Sequence, residues 1–265
     1  MATVKEIYDF LNTKAPFDSQ LGFDNSGLLV GRGDGQVSRV LIALDITEKV
    51  VQEAIQVGAE LIVSHHPVIW DGAKSVTDST TLGRKLLMLI ENGIAAICAH
   101  TNLDAAVGGV NDALAAKLEL SDVKLLKVYG QYQDGTAYGI EKIGMYAKGP
   151  VMLTEFVRHV KTSLASNGVR YVDAGRAVQF VAIGGGSCSS SLKDVFAAGC
   201  DTFVTADVKY DTFLEAEALG INLIDAGHYP TENVVCPQLV NWLKDAFPEI
   251  AISVSNCHKE VFNYL

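Results

Sequence analysis

The chain holds only five cysteines, Cys98, Cys188, Cys200, Cys236 and Cys257, and no two of them stand in a CxxC spacing. An odd count without close pairs argues against a zinc ribbon. Cys98 and Cys200 lie in or beside apolar runs, the pattern of free buried thiols in a reducing compartment. Basic residues are also scarce: 21 Lys and Arg against 31 Asp and Glu leave a net charge of -10 at pH 7. That balance argues against nucleic acid as a bulk electrostatic partner, because phosphate binding needs a basic face. No apolar run reaches membrane-spanning length, and the acidic residues Glu6 and Asp9 fall where a targeting segment would need none. The expectation is a soluble, cytoplasmic protein without a membrane partner. There is no internal repeat of fixed period and no low-complexity segment. What remains is 265 residues, 49% hydrophobic and 20% charged, enough for one large domain or two small ones.

Periodicity supplies the elements. Val4, Ile7, Tyr8 and Leu11 share one face of a predicted helix. FDNSGLLVGRGDG (Phe23 to Gly35) reads as loop around a short strand, and it lacks both the GK[ST] ending and the following helix of a phosphate cradle. VLIAL (Val40 to Leu44) is a strand ending at Asp45, and Thr47 caps a helix from Glu48 to Val57 that stops at Gly58. LIVS (Leu61 to Ser64) is a buried strand, Thr81 to Asn92 a helix, and Ile94 to Ala99 a third buried strand. Strand, helix, strand, helix, strand at this spacing predicts a parallel sheet with right-handed crossovers.

After a helix from Val110 to Leu118 the chain turns polar and glycine-rich, which places a domain boundary near residue 125. Further strands are expected at Ile140 to Tyr146, Val178 to Ile183, Thr202 to Thr205, Ile221 to Asp225 and Ile250 to Val254. Helices are expected at Val151 to Ser166, Asp211 to Leu219 and Thr231 to Ala246. The run GGGSCSSSLKDVFAAG (Gly184 to Gly199) is either an anion-binding turn or a tight strand-to-helix connection. It lacks the GxGxxG spacing and the P-loop lysine.

Three predicted strands end in residues that ligate metals: His65 and His66, then His100 and Asp104, then His228 and Glu232. An HH pair alone is equally a capped strand end with solvated imidazoles. Its recurrence changes the reading, because parallel strands bring their carboxyl ends to one sheet edge. His228 and Glu232, four apart at a helix start with Pro230 in its first turn, can address one point. Nitrogen and carboxylate donors without thiolate suit two divalent ions of zinc, iron or manganese, and a carboxylate can bridge them.

SHHP (64–67), HTNLD (100–104) and LIDAGHYPTE (223–232), with FDNSGLLVG (23–31) and ADVKY (206–210), resemble the NIF-three-like dinuclear metal centre family. Its members are often described as GTP cyclohydrolase 1 type 2 homologues. The resemblance spans nearly the whole chain. It implies five metal ligands, which fall on His65, His66, Asp104, His228 and Glu232. It implies two α/β domains with mostly parallel sheets and the metal site at strand carboxyl ends, here 1–125 plus 221–265 for the metal-binding domain and 126–220 for the second. Toroidal homohexamers are implied in the same way. Two departures stand out: Asp211 follows Lys209 and Tyr210 where the family usually has histidine, and Cys188 replaces a glycine of the glycine-rich turn.

His100 is not among the implied ligands. It is expected beside the metals, as the catalytic proton-transfer group or as a structural hydrogen-bonding residue. His159, within a predicted helix, and His258, in the tail SNCHKEVF, are expected to be structural. The functional expectation is a dinuclear metal-dependent hydrolase acting on a small molecule such as a nucleotide by purine ring opening. A metal-dependent phosphoesterase is the alternative within enzymes. A non-enzymatic metal-binding scaffold that binds a protein partner is the alternative outside them.

Overall fold

Four-residue runs such as Leu61–Ser64 and Ala95–Cys98 are buried at every position, as strands covered by helices on both faces must be. The computed structural model describes residues 2–265, and these divide into two units.

Unit 1 runs through Val107 and adds Cys236–Lys259. Its five-stranded sheet has the order Ala251–Val254, Arg39–Ala43, Leu61–Ser64, Ala95–Cys98, Gly27–Val30. The first four strands are parallel, and the last closes one edge antiparallel. Helices Glu48–Val57 and Thr81–Glu91 are the crossovers. Val50, Val51, Ala54, Leu86 and Leu89 pack on Leu41, Ile62 and Ala96. The cap at Thr47 forms as expected, its side chain accepting from the Val50 amide, and Gly58 ends the helix at φ +68°. A left-handed C-terminal residue is where glycine avoids the Cβ penalty.

Unit 2 comprises Gly108–Val235 with Glu260–Leu265. Its six-stranded sheet has the order Arg170–Val172, Asn222–Asp225, Thr202–Thr205, Phe180–Ile183, Lys142–Tyr146, Leu120–Leu125. The three strands from Asn222–Asp225 to Phe180–Ile183 are parallel, and the flanking pairs are antiparallel. One face packs Val181, Ile183, Val204 and Ile224 under Phe156, Val160 and Leu114. The other packs Ala182, Phe203 and Leu223 under Leu192, Val195 and Ala216.

The units divide at residues 107/108 and 235/236 rather than near 125 and 220. Strand Leu120–Leu125, four of whose six residues are exposed and so hide its periodicity, pairs with Lys142–Tyr146 and so belongs to unit 2. At the second crossing, the expected single helix from Thr231 to Ala246 is three pieces: His228–Glu232, a 3-10 turn at Asn233–Val235, and Cys236–Ala246. Among the described residues, no helix is long and apolar enough to cross a membrane.

Candidate metal centre

The register of the unit 1 sheet decides what meets at its carboxyl edge. Ala43 pairs with Ser64, and Ser64 with Cys98. Two residues beyond each of these adjacent positions stand Asp45, His66 and His100. The chain gathers here because the strands end together, and past the last ladder pair the backbone is free to turn its side chains inward.

His65, fully buried, sets its ring 5.0 Å from those of both His66 and His100, and the last two are 5.5 Å apart. One ligand nitrogen from each of these three histidines lies within 4.8 Å of the others. Asp104, in the short helix Thr101–Ala105, brings Oδ1 to 3.6 Å from His65 Nε2.

Every Nδ1 in this group faces an oxygen. His65 Nδ1 lies 2.9 Å from the Ala99 carbonyl, His66 Nδ1 2.8 Å from Asp45 Oδ1, and His100 Nδ1 2.9 Å from Asp24 Oδ1. A carbonyl or ionised carboxylate only accepts, so each Nδ1 carries a proton, and in the neutral imidazole the lone pair is then on Nε2. This is the tautomer that an imidazole ligand needs, held by the partners that usually hold it.

The carboxylates stay ionised for a stated reason. Burial alone would raise Asp24, but hydrogen bonds from His100 and Thr101 outweigh it and hold its carboxyl well below the usual range. Burial likewise acts to raise Asp45, and hydrogen bonds from His258 and His66 hold it well below that range. Asp24 also accepts from the Thr101 amide at 2.9 Å and its hydroxyl at 2.5 Å. Trp70 stands edge-on to the His100 ring at 5.0 Å with nearly half its surface exposed.

In unit 2 the same logic repeats at the end of a parallel pair. Thr205 pairs with Asp225, and two residues further on are Asp207 and Gly227. Gly227 at φ +92° turns the chain into helix His228–Glu232. His228 Nδ1 lies 2.7 Å from Asp207 Oδ2, and its Nε2 lies 3.0 Å from Glu232 Oε2.

The glycine-rich turn does not cradle an anion. The amides of Gly184, Gly185 and Gly186 donate to the Val204 carbonyl, Asn111 Oδ1 and Thr231 Oγ1, and that of Cys188 to Thr205 Oγ1. Gly186, at φ +63°, instead leaves room: a Cβ there would collide with Glu232 Oε1 and come within 3.2 Å of His228 Nε2. Cys188 folds back onto the turn, its thiol donating to the Gly185 carbonyl at 3.3 Å. Asp211 is exposed in the first turn of helix Tyr210–Leu219.

His65, His66, His100 and Asp104 are thus together in unit 1, and His228 and Glu232 are together in unit 2. These nitrogen and oxygen donors, with Nδ1 of His65, His66 and His100 each turned to an oxygen acceptor, are of the kind that divalent cations take. A model of the Duf34/NIF3 (NGG1p interacting factor 3) family matches residues 2–261.

The chain belongs to the Duf34/NIF3 family.

A Clostridium perfringens relative named GTP cyclohydrolase 1 type 2 homolog is 32% identical over 99% of both chains. A Helicobacter pylori protein named GTP cyclohydrolase 1 type 2 is 33% identical over 88% of each. Among Duf34/NIF3 structures, a Bacillus cereus protein related to NIF3 superposes with a TM-score of 0.93 at 25% identity, covering 100% of this chain and 99% of that one.

Three groups beside the Duf34/NIF3 histidines escape a reading of strand ends as ligands alone: Asp24, Asp45 and Asp207. The signal for two of them is in the sequence. Asp45 and Asp207 each stand just past a buried strand, as His66 and His100 do. Asp24, in the loop before strand Gly27–Val30, gives no such cue. His159 lies in helix Leu153–Ser163 against Tyr146 and Phe156, a packing role as expected. His258, expected to be structural, reaches Asp45.

Proposed function

We propose that the protein is a dinuclear metal-dependent hydrolase that opens the purine ring of a nucleotide, in the manner implied by the names of its relatives. The observation that carries this reading is the convergence of histidines whose Nδ1 faces an oxygen acceptor: His65, His66 and His100 at one sheet edge, and His228 beside Glu232. Oxygen acceptors at Nδ1 are the partners that ordinarily orient metal-ligating imidazoles.

In this reading His65, His66, Asp104, His228 and Glu232 would hold two divalent cations, which would supply a water of lowered pKa and stabilise negative charge developing on the substrate. Water adds at C8, a ring C–N bond breaks, and a formamide remains. Asp45 and Asp207 orient their histidines. His100, oriented by the ionised Asp24, would take the attacking water's proton on Nε2 and pass it to the departing ring nitrogen, in the arrangement by which a carboxylate orients a general acid–base imidazole. Trp70 offers a flat apolar face beside His100 for a heterocycle.

Elemental analysis of the purified or reconstituted protein should find close to two transition-metal ions per chain, and fewer after His65→Ala or Asp104→Ala. Metal-loaded protein should convert GTP to a species one water heavier with loss of purine absorbance. His100→Ala should keep its metal while turnover falls roughly 10²- to 10⁴-fold. No metal in any preparation would sink the site, and loaded protein inert towards GTP would sink the substrate.

A further inference from the structure

His66 does not rest on Asp45 alone. Asp45 uses one carboxylate oxygen for each of two imidazoles: Oδ1 lies 2.8 Å from His66 Nδ1, and Oδ2 lies 2.8 Å from His258 Nε2. His258 comes from far along the chain, and its side chain is only 8% exposed. The segment that carries it is tied down at several points. The Ser255 amide donates to the Ile42 carbonyl at 2.7 Å. The Ser255 hydroxyl donates to Glu53, and the amides of Asn256 and Cys257 donate to the same carboxylate at 2.9 and 3.4 Å. The His258 amide then donates to Ser255 Oγ at 3.3 Å. A residue with no role would not need a backbone fixed so firmly at a buried position.

We infer that His258 is a positioning residue that acts through Asp45 to fix the orientation and tautomer of His66.

The chemistry runs in one direction. An ionised carboxylate only accepts, so both imidazoles must donate to it: His258 through Nε2–H and His66 through Nδ1–H. Asp45 is 40% exposed at its side chain, so without His258 its carboxylate would rotate toward water. The anchor of the His66 ring would go with it. With His258 in place the plane of the carboxylate is set from behind, and Nε2 of His66 keeps its lone pair and its aim. The metal-ligand role of His66 rests on the function proposed above; the hydrogen-bonded chain from His258 to His66 does not.

Two readouts test this, one of them without metal. In metal-free protein labelled with ¹⁵N-histidine, His66 should give one pyrrole-like Nδ1 and one pyridine-like Nε2. In His258→Phe, which keeps a ring in the space, the two tautomers should mix. In His258→Gln, whose amide nitrogen reaches about as far as Nε2, the single tautomer should return. Zinc affinity, measured by competition with a chromophoric chelator, should weaken about tenfold in His258→Phe and recover in His258→Gln, the lower end of the usual 10- to 100-fold cost of losing an outer hydrogen-bond partner of a ligand. Thermal melts confirm that the variants fold. A His66 that stays in one tautomer, in a His258→Phe protein that binds zinc as tightly as the wild type, overturns the inference. Wild-type protein that binds no zinc counts against the metal reading alone, and the tautomer of His66 then decides whether His258 sets it.

Discussion

At the scale of single residues, Gly186 is where the backbone yields to chemistry. Its φ of +63° already disfavours a side chain, and a Cβ would strike the Glu232 carboxylate beside His228 Nε2. Gly186→Ala should cost about 1–2 kcal/mol of stability for the left-handed backbone. It should also lower metal uptake by a larger factor than Ala at a remote left-handed position such as Gly58, where nothing lies within reach of a Cβ. Metal titrations beside melting curves of the two variants make that comparison. The thiols give a second expectation. Burial pushes the Cys98 thiol up to about 11 and those of Cys200 and Cys236 up to about 12. Thiolate is the reactive form, so a disulfide reagent at pH 8 should modify no more than two of the five cysteines in the native protein, and all five after denaturation. The candidate ligands were legible because strand ends and histidines are both visible in a sequence. Their orienting carboxylates were harder to see, because Asp24 and His100 are 76 positions apart and only the folded register makes them neighbours.

At the scale of elements, the strand starts are stapled as well as the strand ends. Glu60, at the head of strand Leu61–Ser64, accepts from the Ser38 amide at 3.2 Å, the Ser38 hydroxyl at 2.8 Å and the Arg39 amide at 2.9 Å. Burial acts to raise its pKa, but these hydrogen bonds together lower it below the ordinary glutamate range. A carboxyl lowered on folding contributes stability that is complete above its unfolded pKa, near ~4.3, and is lost as pH falls through the folded value. The difference in urea midpoint between wild type and Glu60→Gln should therefore be largest near neutrality and shrink below about pH 4. Buried strands and capped helices such as Glu48–Val57 were legible because hydrophobic runs and Thr–Gly punctuation are local signals. Strands Leu120–Leu125 and Arg170–Val172 were not, since most of their residues face solvent and their pairing partners alone make them strands. The break between Glu232 and Cys236 was hidden for a related reason. Helical residues continue through it, and the tertiary packing of Asn233–Val235 against helix Val110–Lys117 sets the interruption.

At the scale of the whole molecule, composition does not call for an oligomer. The hexamer is proposed from family resemblance alone, and light scattering at micromolar concentration should then give six times the 28.4 kDa chain mass. A single chain mass would refute it. The α/β class was readable from alternating strands and helices. The path of the chain between units was only half readable, because a boundary is set by which sheet a strand joins. The crossings at 107/108 and 235/236 are marked only by the pair Gly108–Gly109 and by Pro237, too little to stand out as linkers.

That path carries a consequence for the order in which the protein is made. Unit 2 is almost continuous in the chain, whereas the sheet of unit 1 places Ala251–Val254 beside Arg39–Ala43. Emerging from a ribosome, the first four strands of unit 1 must wait, with one edge unpaired, while more than a hundred residues of unit 2 are synthesised. An open edge of this kind is a template for unwanted pairing. A chain truncated after residue 240 should therefore present the complete six-stranded sheet of unit 2 tethered to an aggregation-prone unit 1, and the arrival of the final strand is what ends that exposure.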